Sequence, residues 1–172
     1  EWTGDLETVR NLLPNMEAAL EWMAGPDADP DGDGFIEYSP HKGGMTNMVW
    51  KDSGDSTFNE LGEDLTAPIA VVEVQAYAYR AFVSAAKVYT ALEQPEKALE
   101  YGQKAKVLRE KFHQHFWLET LGTYAHALNA QKEPARVKVS NAGHALWAGI
   151  VPDELAPKVA ETLFSSEMWS GW

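Results

Sequence analysis

From about Pro68 to Leu92 the chain carries apolar residues nearly all the way round a helical wheel, and no other segment limits the fold so strongly. A helix of that kind has to be covered on most of its sides. Its two strongly polar residues near the start, Glu73 and Gln75, must either be satisfied by their surroundings or face a polar cavity. Thr66 is the expected N-cap, with Pro68 near the first turn, where a missing N–H does no harm. A second segment, about Pro95 to Phe116, is amphipathic: Ala98, Tyr101, Ala105, Leu108, Phe112 and Phe116 share one stripe, with Lys and Glu opposite. Joined by Glu93 and Gln94, the two segments form an antiparallel helical hairpin.

The flanking segments extend this all-α pattern. Leu6, Val9, Leu13, Met16, Leu20 and Met23 line one face of a first helix, in which Pro14 predicts a kink or a break. Thr123 to Leu128 and Arg136 to Val139 alternate enough to pair as a short β-hairpin across the turn Asn129 to Pro134. Asn141 to Ala148 and Pro157 to Phe164 read as further helices. A loop from about Gly25 to Glu63 separates the first helix from the buried one, and loops of such length in a domain commonly carry function. With 172 residues, 45% of them hydrophobic and seven of them Trp, the chain has one domain's length and material for a core, which excludes a disordered class. A net charge of −12 without a Lys/Arg cluster argues against nucleic acid as a partner. The absence of Cys removes disulfides and thiolate metal sites and suits a cytoplasmic, bacterial-type protein. No stretch approaches the roughly 20 apolar residues of a membrane span, and no basic-then-apolar signal opens the chain, so no membrane partner is expected.

Chemistry concentrates in two places. Trp50-Lys51-Asp52-Ser53-Gly54-Asp55-Ser56 packs an aromatic platform, a cation and two carboxylates into seven residues. A protonated acid can donate to a glycosidic oxygen while an indole stacks on the apolar face of a pyranose. The plainer reading of the same residues is a surface Asx turn beside a partly buried Trp. Asp29-Pro30-Asp31-Gly32-Asp33-Gly34-Phe35-Ile36-Glu37 matches the front half of a calcium loop, with Asp29, Asp31, Asp33, the Phe35 carbonyl and Glu37 as ligands. The twelfth position is Pro40 rather than a closing Glu, so this is no EF-hand, and the expected role of calcium is structural. Solvated, turn-capping carboxylates are the alternative. Of the five histidines only His113 and His115 are close in sequence, and two residues apart on a helix they diverge, which argues against zinc.

Taken in order, Trp50 to Ser56, Ala67 to Ala81 with its Glu-Val-Gln, Phe116-Trp117, Gly122 to Leu128 and Ser140-Asn141-Ala142-Gly143-His144-Ala145-Leu146-Trp147 resemble the glucosidase part of bacterial glycogen-debranching, amylo-alpha-1,6-glucosidase-like proteins. Those proteins are six-hairpin (α/α)6-barrel glycosidases. The resemblance implies an all-α, partial (α/α)6 toroid with long loops and a short β-hairpin, in which residues 1–172 are a single incomplete portion of the catalytic domain. It implies an inverting mechanism with Asp52 as general acid and Trp50 as sugar platform. Lys51 and Asp55 would position hydroxyls, Glu73 and Gln75 would support or contact substrate, and Asn141, His144 and Trp147 would line the barrel mouth. The general base is expected from a later segment. The implied partners are an oligo- or polysaccharide and either the rest of the barrel or a second copy, and no organic cofactor is expected. Two other readings compete. One is a non-catalytic carbohydrate-binding or scaffold protein. The other is a tetratricopeptide-like solenoid suggested by Tyr89 to Phe112, for which no second copy at a period near 34 residues is found.

Overall fold

The computed structural model describes residues 3–41, 43–51 and 53–171. Helix α1, Leu6–Met23, opens at Asp5, whose carboxylate accepts from the Thr8 N–H at 3.0 Å and the Thr8 hydroxyl at 2.7 Å. Pro14 lies inside α1, and the helix continues through it instead of breaking. Leu20 is buried, with Leu13, Met16 and Met23 packed at the edge of the core. Glu17 ties α1 to the next helices by accepting from the Tyr89 hydroxyl at 2.8 Å and pairing with Lys97.

Among the described residues from Ala24 to Ile69 there is no helix or strand, apart from isolated bridges between Tyr38 and Ile69 and between Phe58 and Asp64. Strand β1, Ala70–Val71, leads into α2, Val72–Ala91, and α3, Pro95–Phe116, follows. After α3 come β2, Trp117–Leu118, β3, Thr123–Tyr124, and β4, Ala127–Leu128, then α4, Ala142–Ala148, and α5, Ala156–Leu163. The helical hairpin expected from the sequence is present, and α3 has the expected bounds. Helix α2 starts later than expected because Ala70 and Val71 pair antiparallel with Leu128 and Ala127, and Thr66, whose carbonyl accepts from the Ala130 N–H at 2.8 Å, does not cap it.

The short β-hairpin also differs in register. Trp117 and Leu118 pair with Tyr124 and Thr123, so the segment after α3 folds back on itself. The turn after Leu128 forms as expected, with the Asn129 side chain accepting from the Gln131 and Glu133 N–H groups, but the returning chain bonds β4 only as far as Ala135. Arg136 to Val139 is therefore not a strand.

Two faces make the core. On α3 the buried stripe is Tyr101, Ala105, Leu108, Phe112 and Phe116, continued as stacked rings by Phe82, Tyr89 and Tyr124. Helix α2 is covered on most sides over its first two turns, where Val72, Glu73, Gln75, Ala76 and Ala78 are buried and Tyr77 is exposed, and becomes one-sided beyond Arg80. Helix α4 buries the small residues Ala142, Ala145 and Ala148 and packs against α2. It stops at Gly149, whose φ of 76° is a left-handed cap that glycine adopts without steric cost. Among the described residues no helix is long and apolar enough to cross a membrane.

Candidate active site

The first turns of α2 and the whole of α4 present one composite face. Glu73 and Tyr77 are one turn apart on α2, and Asn141, His144 and Trp147 recur every three residues at the start of and along α4, so each set shares a side of its helix. The two sets meet through Tyr77, whose hydroxyl lies 2.6 Å from His144 Nδ1. The Tyr77 ring stands edge-on to His144 and to Trp147, with centroids 5.6 and 6.2 Å apart.

The loop closes over this face. Trp50 tilts against His144 at 5.5 Å between ring centroids, and the Lys51 ammonium sits 5.3 Å from the Trp50 ring and 3.3 Å from Ser140 Oγ. Trp50 and Trp147 remain 56% and 70% exposed, which leaves two indole surfaces open to a ligand. The turn itself is fastened from below by Asn47, whose amide donates to the Ser53 carbonyl and to Ser56 Oγ and accepts from the Tyr38 hydroxyl at 2.7 Å. The Ser56 hydroxyl in turn donates to the Lys51 carbonyl. Asp52 lies outside the described residues, and Lys51 and Ser53 on either side of it belong to this fastened turn. Asp55 is exposed on it.

Beneath the aromatic rim the polar groups are unpaired. Neither carboxylate oxygen of Glu73 and neither atom of the Asn141 amide makes a hydrogen bond of proper geometry, although both residues are fully buried. Burial pushes the Glu73 carboxyl above the usual range, and the adjacent Asn141 amide and the charges at His144 and Lys51 pull only partly back. His126 is likewise buried with both ring nitrogens unpartnered, and burial, helped by the Lys51 charge, depresses its pKa to about 4. The Thr57 hydroxyl is a fourth buried group without a partner. Buried polar atoms are normally satisfied, and such orphans cluster where something polar is meant to enter.

Gln75 has a different task from its neighbour Glu73. Its amide accepts from the Ile36 N–H at 2.9 Å and donates to the Ile36 and Val71 carbonyls at 2.7 and 3.1 Å, strapping the long loop to α2. Of the residues singled out from the sequence, Trp50, Lys51, Glu73, Asn141, His144 and Trp147 come together, Asp55 is exposed on the Trp50 turn, and Gln75 acts behind the site. Tyr77 and Ser140 complete the group. Tyr77 was detectable as the residue four after Glu73 on the same helical face, whereas His126 offered no such signal.

The acid loop lies apart from this face. Asp29, Asp31 and Asp33 bring carboxylate oxygens within 4.8 Å of one another. Both Asp29 oxygens accept backbone N–H groups, from Asp33 at 3.0 Å and Gly34 at 2.8 Å, and Asp33 Oδ1 accepts from the Phe35 N–H at 2.8 Å. The Phe35 side chain is buried edge-on to Phe116. The oxygens that converge, on Asp31, Asp33 and Glu37, do so on the ammonium of Lys132, which lies 2.9 Å from Asp31 Oδ2 and 2.8 Å from Asp33 Oδ2 and pairs with Glu37 Oε1. Ca²⁺ asks for six to eight oxygens around a single point. Here three of the carboxylate oxygens are arranged about an ammonium.

The helical hairpin and the aromatic-rimmed polar group beside it accord with a glycoside hydrolase domain of the (α/α)6 class, the class to which the following comparisons point. The sequence matches the family described as Trehalase over residues 45–170, and the chain belongs to that family. Its fold is similar to that of the solved neutral trehalase Nth1 from Saccharomyces cerevisiae, with a TM-score of 0.54 at 22% identity over 66% of this chain. The chain spans 22% of that protein's length. No curated protein sequence matches it significantly.

Proposed function

We propose that this chain supplies the general-acid side of an inverting exo-acting glucosidase site. The observation that carries the reading is a buried, unpaired carboxylate and amide, Glu73 and Asn141, beside the aromatic group of Trp50, Tyr77, His144 and Trp147. Sugar hydroxyls supply the donors and acceptors that those groups lack, and the indoles supply stacking area for the apolar face of the ring. In this reading Asp52 protonates the leaving oxygen, Lys51 and Ser140 hold a hydroxyl, and Tyr77 fixes the orientation of His144. An inverting partner carboxylate stands roughly 6.5–9.5 Å from the acid, on the opposite face of the sugar.

The resemblance to debranching glucosidases suggests an α-1,6-linked glucose, as at the branch point of a limit dextrin, as substrate. The trehalase-family match favours a second reading in which the substrate is trehalose. Assay of the full-length protein on isomaltose, a limit dextrin and trehalose separates the two. The acid is tested by Asp52→Asn. Turnover of substrates with poor leaving groups should fall by about 10²–10⁴-fold, with aryl glucosides of good leaving groups much less affected. Equal, small losses on both kinds of substrate rule Asp52 out.

A further inference from the structure

We infer that Lys132 is the resident counter-cation of the Asp29 to Glu37 loop, occupying the position at which a loop of this sequence would otherwise gather a divalent metal ion. The assignment does not depend on the enzymatic reading above. Each of the three converging carboxylates gives the ammonium one oxygen: Asp31 Oδ2, Asp33 Oδ2 and Glu37 Oε1. Three N–H donors meet three acceptors, so the head group is saturated without water or metal. The remaining oxygens of Asp31 and Asp33 are taken by backbone N–H groups inside the loop.

Glu37 makes this more than a surface ion pair. Its side chain is wholly shielded from solvent, and Oε2 has no partner, so Lys132 is the charge that compensates a buried carboxylate. The lysine is delivered from the turn after β4 with a backbone φ of 62°, its N–H bonded to the Asn129 carbonyl at 2.8 Å. A second lysine, Lys111 on α3, donates to the Asp33 carbonyl at 2.6 Å and holds the loop from its other side. Between them the two lysines fix the residues leading into Tyr38, and Tyr38 carries the Asn47 fastening of the Trp50 to Ser56 turn.

Removing the ammonium leaves three convergent carboxylates and one unpaired buried oxygen, a donor set suited to a hard divalent ion. The experiment compares thermal melts of the full-length wild type and Lys132→Met in EDTA and in millimolar CaCl₂, alongside metal analysis of the dialysed wild type. The wild type should melt at the same temperature in both buffers and carry no stoichiometric calcium. Lys132→Met should melt several degrees lower in EDTA and recover part of that loss in CaCl₂, but not in an equal concentration of KCl. A wild-type melt that drops on chelation, or calcium retained at one per chain, overturns the assignment, as does a Lys132→Met protein that melts like the wild type in EDTA. If the variant does not fold in EDTA, the wild-type melt and metal analysis decide the matter unaided.

Discussion

Glu73 illustrates the tension between folding and binding in a single side chain. The fold encloses a carboxyl group that makes no hydrogen bond of proper geometry, at a position where the start of α2 gives only partial relief through its positive end. Because burial raises the folded-state pKa above that of the unfolded chain, the folded protein holds its proton more tightly. Stability from this group is fully present below about pH 4.5 and is lost as pH rises through the folded-state value. Glu73→Gln should therefore stabilise the protein at pH 7 by about 1–2 kcal/mol and have little effect near pH 4. It should also weaken saccharide binding. Urea melts at the two pH values, paired with a KM measurement, check this. A variant equally stable relative to wild type at both pH values shows that the carboxyl is not desolvated. Glu73 was legible as a polar residue on a helix apolar nearly all the way round, whereas Tyr77 was not singled out, although it stands one turn after Glu73 on the same face. Lys132 was not legible, because a lone lysine in a polar turn looks the same in sequence whether it faces water or a partner 95 residues away.

Helices α1 and α3 follow their local signals because nothing distant competes with them. Pro95 at the first turn and an unbroken apolar stripe determine α3. The start of α2 and the hairpin register depart from the sequence expectation for a common reason: β1 finds β4, a partner that helical periodicity cannot see, and β3 pairs backwards with β2. The long loop is likewise organised by remote anchors, and Gln75, which bonds both the N–H and the carbonyl of Ile36, is one of them. Gln75→Leu removes three of them and leaves the Ile36 N–H and carbonyl unpaired, which should cost roughly 2–4 kcal/mol. The loss should be local first, with protease cleavage between Gly34 and Ser39 accelerating while α2 and α3 stay protected from hydrogen exchange. Uniform acceleration of exchange through α2 and α3 would instead make Gln75 part of the global core.

The stability of the protein as a function of pH sums opposing contributions. His126, adjacent to Phe58 and under the influence of the Lys51 charge, has a folded-state pKa of about 4 against an ordinary value of 6.5. Its stabilising contribution is present above pH 6.5 and is lost as pH falls towards 4, up to about 3 kcal/mol, opposite in sign to that of Glu73. His126→Leu should flatten the acid limb of the melting-temperature profile between those values without moving the limb above pH 7. An unchanged acid limb assigns the loss to other groups. The all-α frame was legible in the sequence because hydrophobic periodicity is local, but the polar pit was only half legible, since its members come from three separated segments. The Lys132 clamp has a consequence of another kind, in time. Chains are synthesised at about 5–20 residues per second, so the carboxylates of Asp31, Asp33 and Glu37 leave the ribosome roughly 5–20 s before the lysine that neutralises them. Throughout that interval the loop lacks its counter-charge, so the clamp around Glu37 cannot close until the turn after β4 has been made.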